Sequence, residues 1–237
     1  MQQGARVTQI HAVQRMASRI SDPGILYNLG NSLGFIVGLG VALSADVSGN
    51  DTATVWHQAI EHIAGSPPAT ALTAATFVFF WGGLVYTKAW SNGAPPEPKL
   101  NRLGDVLSGI GAILLGAGLV MVGDLWLAAS AGVLHAAGKF GSALGGTATW
   151  RGSLVQIRIA DLCKDLVLIS RVPAVLVGAT AFWREIVTLE SLPGLLLSLS
   201  FMTCCLIWAA ADWMLLSPDG WIKPAAMRLA GRKGLGI

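Results

Sequence analysis

The side chains able to transfer protons, ligate metals or attack as nucleophiles are few and scattered along the chain. His135 lies in an almost wholly apolar stretch from Leu103 to Phe140. An imidazole there is a candidate axial ligand for haem iron or a chlorophyll-type magnesium. A second axial histidine is not evident, so the competing reading is a histidine hydrogen-bonded between helices. His57 and Glu61 are four residues apart and share a helical face, which makes them a surface pair. His57 and His62 diverge by about 140° around a helix, too far to grip one metal.

Asp161, Lys164 and Asp165 fall within one turn of each other. That spacing reads as a solvated ion-pair face, or as a proton-handling cluster. Arg171 sits early in an apolar run, where a charge is kept only with a partner or a water path. Asp165 lies six residues earlier and points about 240° away, so it is not that partner. Asp212, near the end of the last apolar run, is the expected partner, and an Arg171–Asp212 ion pair would tie the last two helices together. Cys163, Cys204 and Cys205 form no C-x-x-C and read as buried, inert thiols. There is no Walker loop, metal motif or nucleophile elbow, and no catalytic residue is expected.

What must position these residues follows from composition. The chain has 237 residues, 53% hydrophobic and 12% charged, with mean hydropathy +0.60. Soluble domains carry about 25% charged residues. Half that fraction, with several long apolar runs, places the chain among membrane proteins. The net charge is +3, and the basic residues lie in connecting segments and the tail. That pattern suits anionic lipid headgroups, and no nucleic-acid signature accompanies it.

The expected fold is an all-α integral membrane protein with about six transmembrane helices in three hairpins. Residues 1–22 form a basic N-terminal segment, with Val7, Ile10, Val13, Ala17 and Ile20 on one amphipathic stripe. It lacks the apolar core and cleavage site of a signal peptide. Residues 23–217 form the polytopic domain, and 218–237 a basic cytoplasmic tail. The crossings are expected at about Gly24–Ala45, Ala69–Trp90, Leu103–Gly123, Asp124–Phe140, Leu166–Trp183 and Leu192–Leu216. A short interfacial helix within 46–67 follows the first. The weak point is the turn at Gly123–Asp124; without it, 103–140 is one long helix. A further helical segment is expected over 153–170.

Small residues mark the packing faces. Gly30, Gly34 and Gly38 recur every four residues, as do Gly104, Ser108, Ala112 and Gly116. Such stripes let membrane helices approach closely. The two stripes open alike, Leu26-Tyr-Asn-Leu29-Gly30-Asn31 and Leu100-Asn-Arg-Leu103-Gly104-Asp105, which points to duplication of a two-helix unit. Asp105 reads as a partner for the helix dipole.

Six crossings place every loop lysine and arginine but Arg184 on one side, so both termini are expected in the cytoplasm and the protein in the cell inner membrane. The leading functional expectation is a non-catalytic subunit or scaffold of a larger membrane complex, associating with other membrane subunits or with itself. The alternative is a small transporter or channel built on a repeated helical hairpin. Its weakness is the scarcity of ionisable residues central to the bilayer. A membrane enzyme using Asp161, Lys164 and Asp165 ranks third.

Overall fold

Prolines mark several helix starts, where a missing N–H costs nothing and φ is already set. In the computed structural model, which describes residues 23–43, 52–91, 96–123, 126–145, 154–188 and 192–216, α1 runs Pro23–Leu43 and α2 Thr52–Gly65. Ser66 then breaks the chain direction: its side chain accepts from Ala69 N–H at 3.5 Å and caps α3, Pro67–Ala89. Helix α4 runs Pro98–Gly123, α5 Trp126–Gly145, α6 Leu154–Thr188 and α7 Leu192–Leu216. No strand occurs among the described residues.

Among the described residues, four segments are long and apolar enough to cross a membrane: Pro67–Ala89, Pro98–Gly123, Asp161–Thr188 and Leu192–Met214. The expected surface helix over 1–22, the Asp124 turn residue and the basic tail over 218–237 lie outside the described residues. The run 103–140 is two helices, α4 and α5, which fold back on each other. The helical segment expected over 153–170 and the crossing expected from Leu166 belong to one helix. Helix α6 is continuous for 35 residues. Nothing between Leu154 and Arg171 breaks it, since Gly and Pro are missing until Pro173. Pro173 removes the N–H that would have paired with the Ile169 carbonyl, a loss that membrane helices tolerate.

The helices close on themselves. Helix α1 packs on α3 and α7, and each helix from α3 to α7 packs on the next, with α2 resting on α1 and α3. Contacts reverse in order along each neighbouring pair, so directions alternate around the ring. Gly111 faces Phe79 where Gly118 faces Leu72, and Gly116 faces Ala128 where Gly132 faces Ala112.

Between α4 and α5 the backbones touch. A Cβ on Gly132 would stand 2.6 Å from the Ala112 carbonyl oxygen, and one on Gly116 2.9 Å from that of Ala128. The Gly30 face of α1 instead seats the Trp208 ring, 2.7 Å from where a Cβ would be, and Gly38 seats the Thr76 side chain. Gly116 and Gly132 therefore bring backbones together, whereas Gly30 and Gly38 on α1 make room for side chains.

The polarity of the ring is inverted relative to a soluble protein. Asp105, His135, Ser170 and Asp212 are buried, while Trp81, Val133, Leu176 and Leu206 are exposed on the outside. Hydrocarbon is the solvent that such an outside fits.

Candidate functional site

The interior polar groups fall into two sets, and they differ in how completely they are satisfied. Asp105 is the eighth residue of α4, which starts at Pro98. That is about two turns into the helix, past the first turn where the dipole acts, so the dipole role expected for it is replaced by side-chain contacts. Its Oδ1 accepts from Tyr86 O–H on α3, and from Lys139 Nζ on α5 at 3.2 Å. Its Oδ2 accepts from Ser142 Oγ at 3.1 Å and from Asn101 Nδ2 at 3.5 Å. Lys139 also donates to Tyr86 Oη at 3.0 Å. Three helices thus meet at one carboxylate whose two oxygens are both fully used. Tyr86 and Lys139 carry no sequence signal beyond that of interface residues. Only the opposite charges of Asp105 and Lys139, both in apolar runs, hint at the pair.

The second set is incompletely satisfied. Arg171 Nε donates to Asp212 Oδ2 at 2.5 Å, linking α6 to α7. The Arg171 guanidinium carbon lies 5.8 Å from the centre of the Trp208 ring, within cation–π range. Asp212 is wholly buried, and its Oδ1 has no hydrogen-bond partner among the described residues. A buried carboxylate oxygen left unpaired is unusual in folded proteins and marks a functional candidate.

His135 sits beside this pair. Ser170 Oγ donates to the Val167 carbonyl at 2.6 Å, so it accepts from His135 Nδ1–H at 3.4 Å. In the neutral ring Nε2 then accepts from Ser108 Oγ–H at 3.1 Å. Both ring nitrogens are therefore engaged by hydroxyls from flanking helices.

A cavity of about 40 Å³ opens inside the ring, lined by His135, Ser170 and Arg171 among apolar groups that include Phe79, Val177 and Trp208. It has room for about three water-sized groups. A porphyrin or chlorophyll macrocycle does not fit there, and the hydrogen bonds at both ring nitrogens match the other reading of His135, a histidine bonded between helices.

The three helix pairs share one register. Asn31 on α1 meets Gly83 on α3, Asp105 on α4 meets Lys139 on α5, and Arg171 on α6 meets Asp212 on α7. Four residues before each second partner stand Phe79, His135 and Trp208, and all three line the cavity. The two similar openings also use one device. Trp208 lies on Gly30 and donates Nε1–H to Asn31 Oδ1 at 3.1 Å, while Tyr86 lies on Gly104 and donates to Asp105.

The remaining candidates stay on the surface. His57 and Glu61 pair at 3.4 Å with both side chains exposed. Lys164 and Asp161 pair at 3.2 Å, also exposed, and Asp165 is exposed beside them. No group of three or more metal-ligating side chains occurs among the described residues. All three cysteines are buried and unbridged, and Cys204 Sγ donates to the Gly30 carbonyl at 3.2 Å.

These features define a helical, multi-pass, membrane-embedded protein. No protein-family model, curated protein or solved structure matches the chain.

Proposed function

We propose that the chain is a small transporter in the cell inner membrane, with six crossings in three hairpins and both termini in the cytoplasm. The observation that carries this reading is the set of ionisable residues in the ring interior: His135 and Arg171 line one small cavity, Asp212 pairs with Arg171, and the Asp105–Lys139 pair lies one helical turn along α5 from His135. Ionisable groups at membrane depth are costly and usually mark a solute or proton pathway. The objection raised by sequence alone, a scarcity of central ionisable groups, loses its force once these five are brought together.

Two further points support the reading. Helices α1 and α5 have 21 and 20 residues, each about 30 Å long and sufficient to span the hydrocarbon core. They occupy the same ring as the helices that carry the four spanning segments and alternate with them in direction. The shared register of the three helix pairs fits a hairpin copied twice, and carriers commonly place their sites where such repeats meet.

The anionic inner leaflet then faces the basic segments. The test is reconstitution. Purified protein in liposomes should pass small solutes or protons in a protein-dependent way, across a panel of small acids, amines and neutral solutes. Sealed, inactive proteoliposomes from a preparation that carries stoichiometric partner chains would overturn transport and favour the complex-subunit reading.

A further inference from the structure

We infer that the cavity is a binding site for a small carboxylate or oxyanion of about three heavy atoms, taken up together with one proton that Asp212 accepts. The inference rests on the transport reading only for its biological use; the site itself is argued from hydrogen-bond accounting.

The guanidinium of Arg171 carries five N–H donors. Nε–H is taken by Asp212 Oδ2, and the η nitrogens donate to no described residue. Arg171 lines the cavity, whereas Asp212 is not among the residues lining it. The carboxylate therefore grips the guanidinium from behind and turns its η edge toward the cavity, with the Trp208 ring fixing one side. No other polar side chain on the cavity wall offers that edge an acceptor. Ser170 Oγ is committed to Val167 and His135, and both His135 nitrogens are committed to serines. A cation is repelled by Arg171, and a purely apolar guest leaves the η donors unmatched. Two oxygens of a carboxylate match two parallel N–H groups. The cavity volume limits the guest to about three heavy atoms. Formate is the smallest carboxylate of that size.

Charge then requires the proton. The Arg171–Asp212 pair is neutral as it stands, and adding an anion to a low-dielectric interior leaves an unbalanced charge. A proton on Asp212 restores neutrality, leaving Arg171 paired with the guest. Oδ1 of Asp212 is the one carboxylate oxygen of the interior without a partner among the described residues, so it can take the proton without breaking a bond. The group facing Asp212 is Arg171 from α6; on its own helix Cys204 and Cys205 lie eight and seven residues earlier, about two turns away. The described part of α1 contributes no charge, and Tyr27 is its single titratable side chain. His135 and Lys139 are on α5, which packs on α6; His135 is held by two serines and Lys139 by Asp105. Asp105, with four donors, has no oxygen left to accept a proton without loss.

The test is calorimetric titration of the full-length protein in detergent with sodium formate against sodium chloride at matched ionic strength. Repeating it in buffers of different ionisation enthalpy counts the protons. Wild type should bind formate but not formamide, its neutral counterpart, with about one proton taken up per formate and affinity falling about tenfold per pH unit above neutrality. Arg171→Gln should abolish binding. Asp212→Asn, which imitates the protonated acid, should bind formate without proton uptake and with a flat pH profile. No heat from formate in folded wild type overturns the site, and binding without proton uptake in wild type overturns the coupling. Uptake that persists in Asp212→Asn reassigns the proton and overturns the role of Asp212. The wild-type measurements do not depend on either variant folding. Formate bound by protein that moves nothing in liposomes leaves the site standing and rejects transport; flux of other solutes without formate binding does the reverse.

Discussion

At the scale of single residues, the two buried ion pairs behave differently because their surroundings differ. Asp105 has four donors, so removing Lys139 still leaves three neutral hydrogen bonds around a buried charge. Lys139→Met should cost about 3–5 kcal/mol, the usual penalty for orphaning a buried ion, and adding Asp105→Asn should return part of it. Arg171→Ala should be at least as costly, because Asp212 has no second donor among the described residues. Arg171→Ala with Asp212→Asn should recover part of that loss. Thermal unfolding of the purified variants in one detergent checks both cycles. Strictly additive losses in either would mean that the pair contributes no coupling. Of these two pairs the sequence exposes only the second, since Arg171 and Asp212 stand out as lone charges in apolar runs. Asp105 sits so close to the start of its apolar run that it passes for a helix-end residue. Its burial depends on where α4 begins, and Pro98 sets that start.

At the scale of helices, the spacing of small residues is visible in the sequence but its use is not. Gly116 and Gly132 bring two backbones into contact, whereas Gly30 and Gly104 are floors on which the Trp208 and Tyr86 rings rest. A four-residue repeat of glycine looks the same in both cases. What decides is the helix opposite, and that is fixed only once the ring closes. Substitution separates the two uses. Gly132→Ala puts a methyl 2.6 Å from the Ala112 carbonyl oxygen, and backbone cannot yield without separating α4 from α5. A loss of about 1–3 kcal/mol is expected, as for overpacked cores. At Gly34 the added methyl would stand 3.4 Å from Cys204 Sγ, an ordinary contact, so Gly34→Ala should cost little. Equal falls in melting temperature for the two variants would refute the distinction. The continuity of α6 is a second element-level result. Its polar first turns and apolar later turns fall in two overlapping segments by composition, and nothing between them interrupts the hydrogen-bond ladder.

At the scale of the whole molecule, the decisive question is how many times the ring crosses the bilayer. Helix α5 is the informative one, because it lies between α4 and α6, which are both long and apolar enough to span. If α5 crosses, the end of α4 and the start of α6 face opposite sides; if it lies on a surface, they face the same side. Its contacts favour crossing. Along its length it runs antiparallel to α4, from Ala128 beside Gly116 to Lys139 beside Asp105, so it shares whatever depth α4 has. A helix in that position cannot lie flat without breaking the Gly116–Gly132 contact and the Lys139–Asp105 pair. Val122, near the end of α4, and Asp161, in the early part of α6, are both exposed and suit single-cysteine labelling. The native thiols are buried, so the parent protein should give a low background. With a membrane-impermeant maleimide on intact cells, Val122→Cys should label, and Asp161→Cys should label only after the membrane is opened. Glu61→Cys on α2 should behave like Val122→Cys, and Lys88→Cys like Asp161→Cys, because α3 separates them. Labelling of Val122→Cys and Asp161→Cys from the same side would remove α5 from the bilayer, and with it the six-crossing ring on which the transport reading stands.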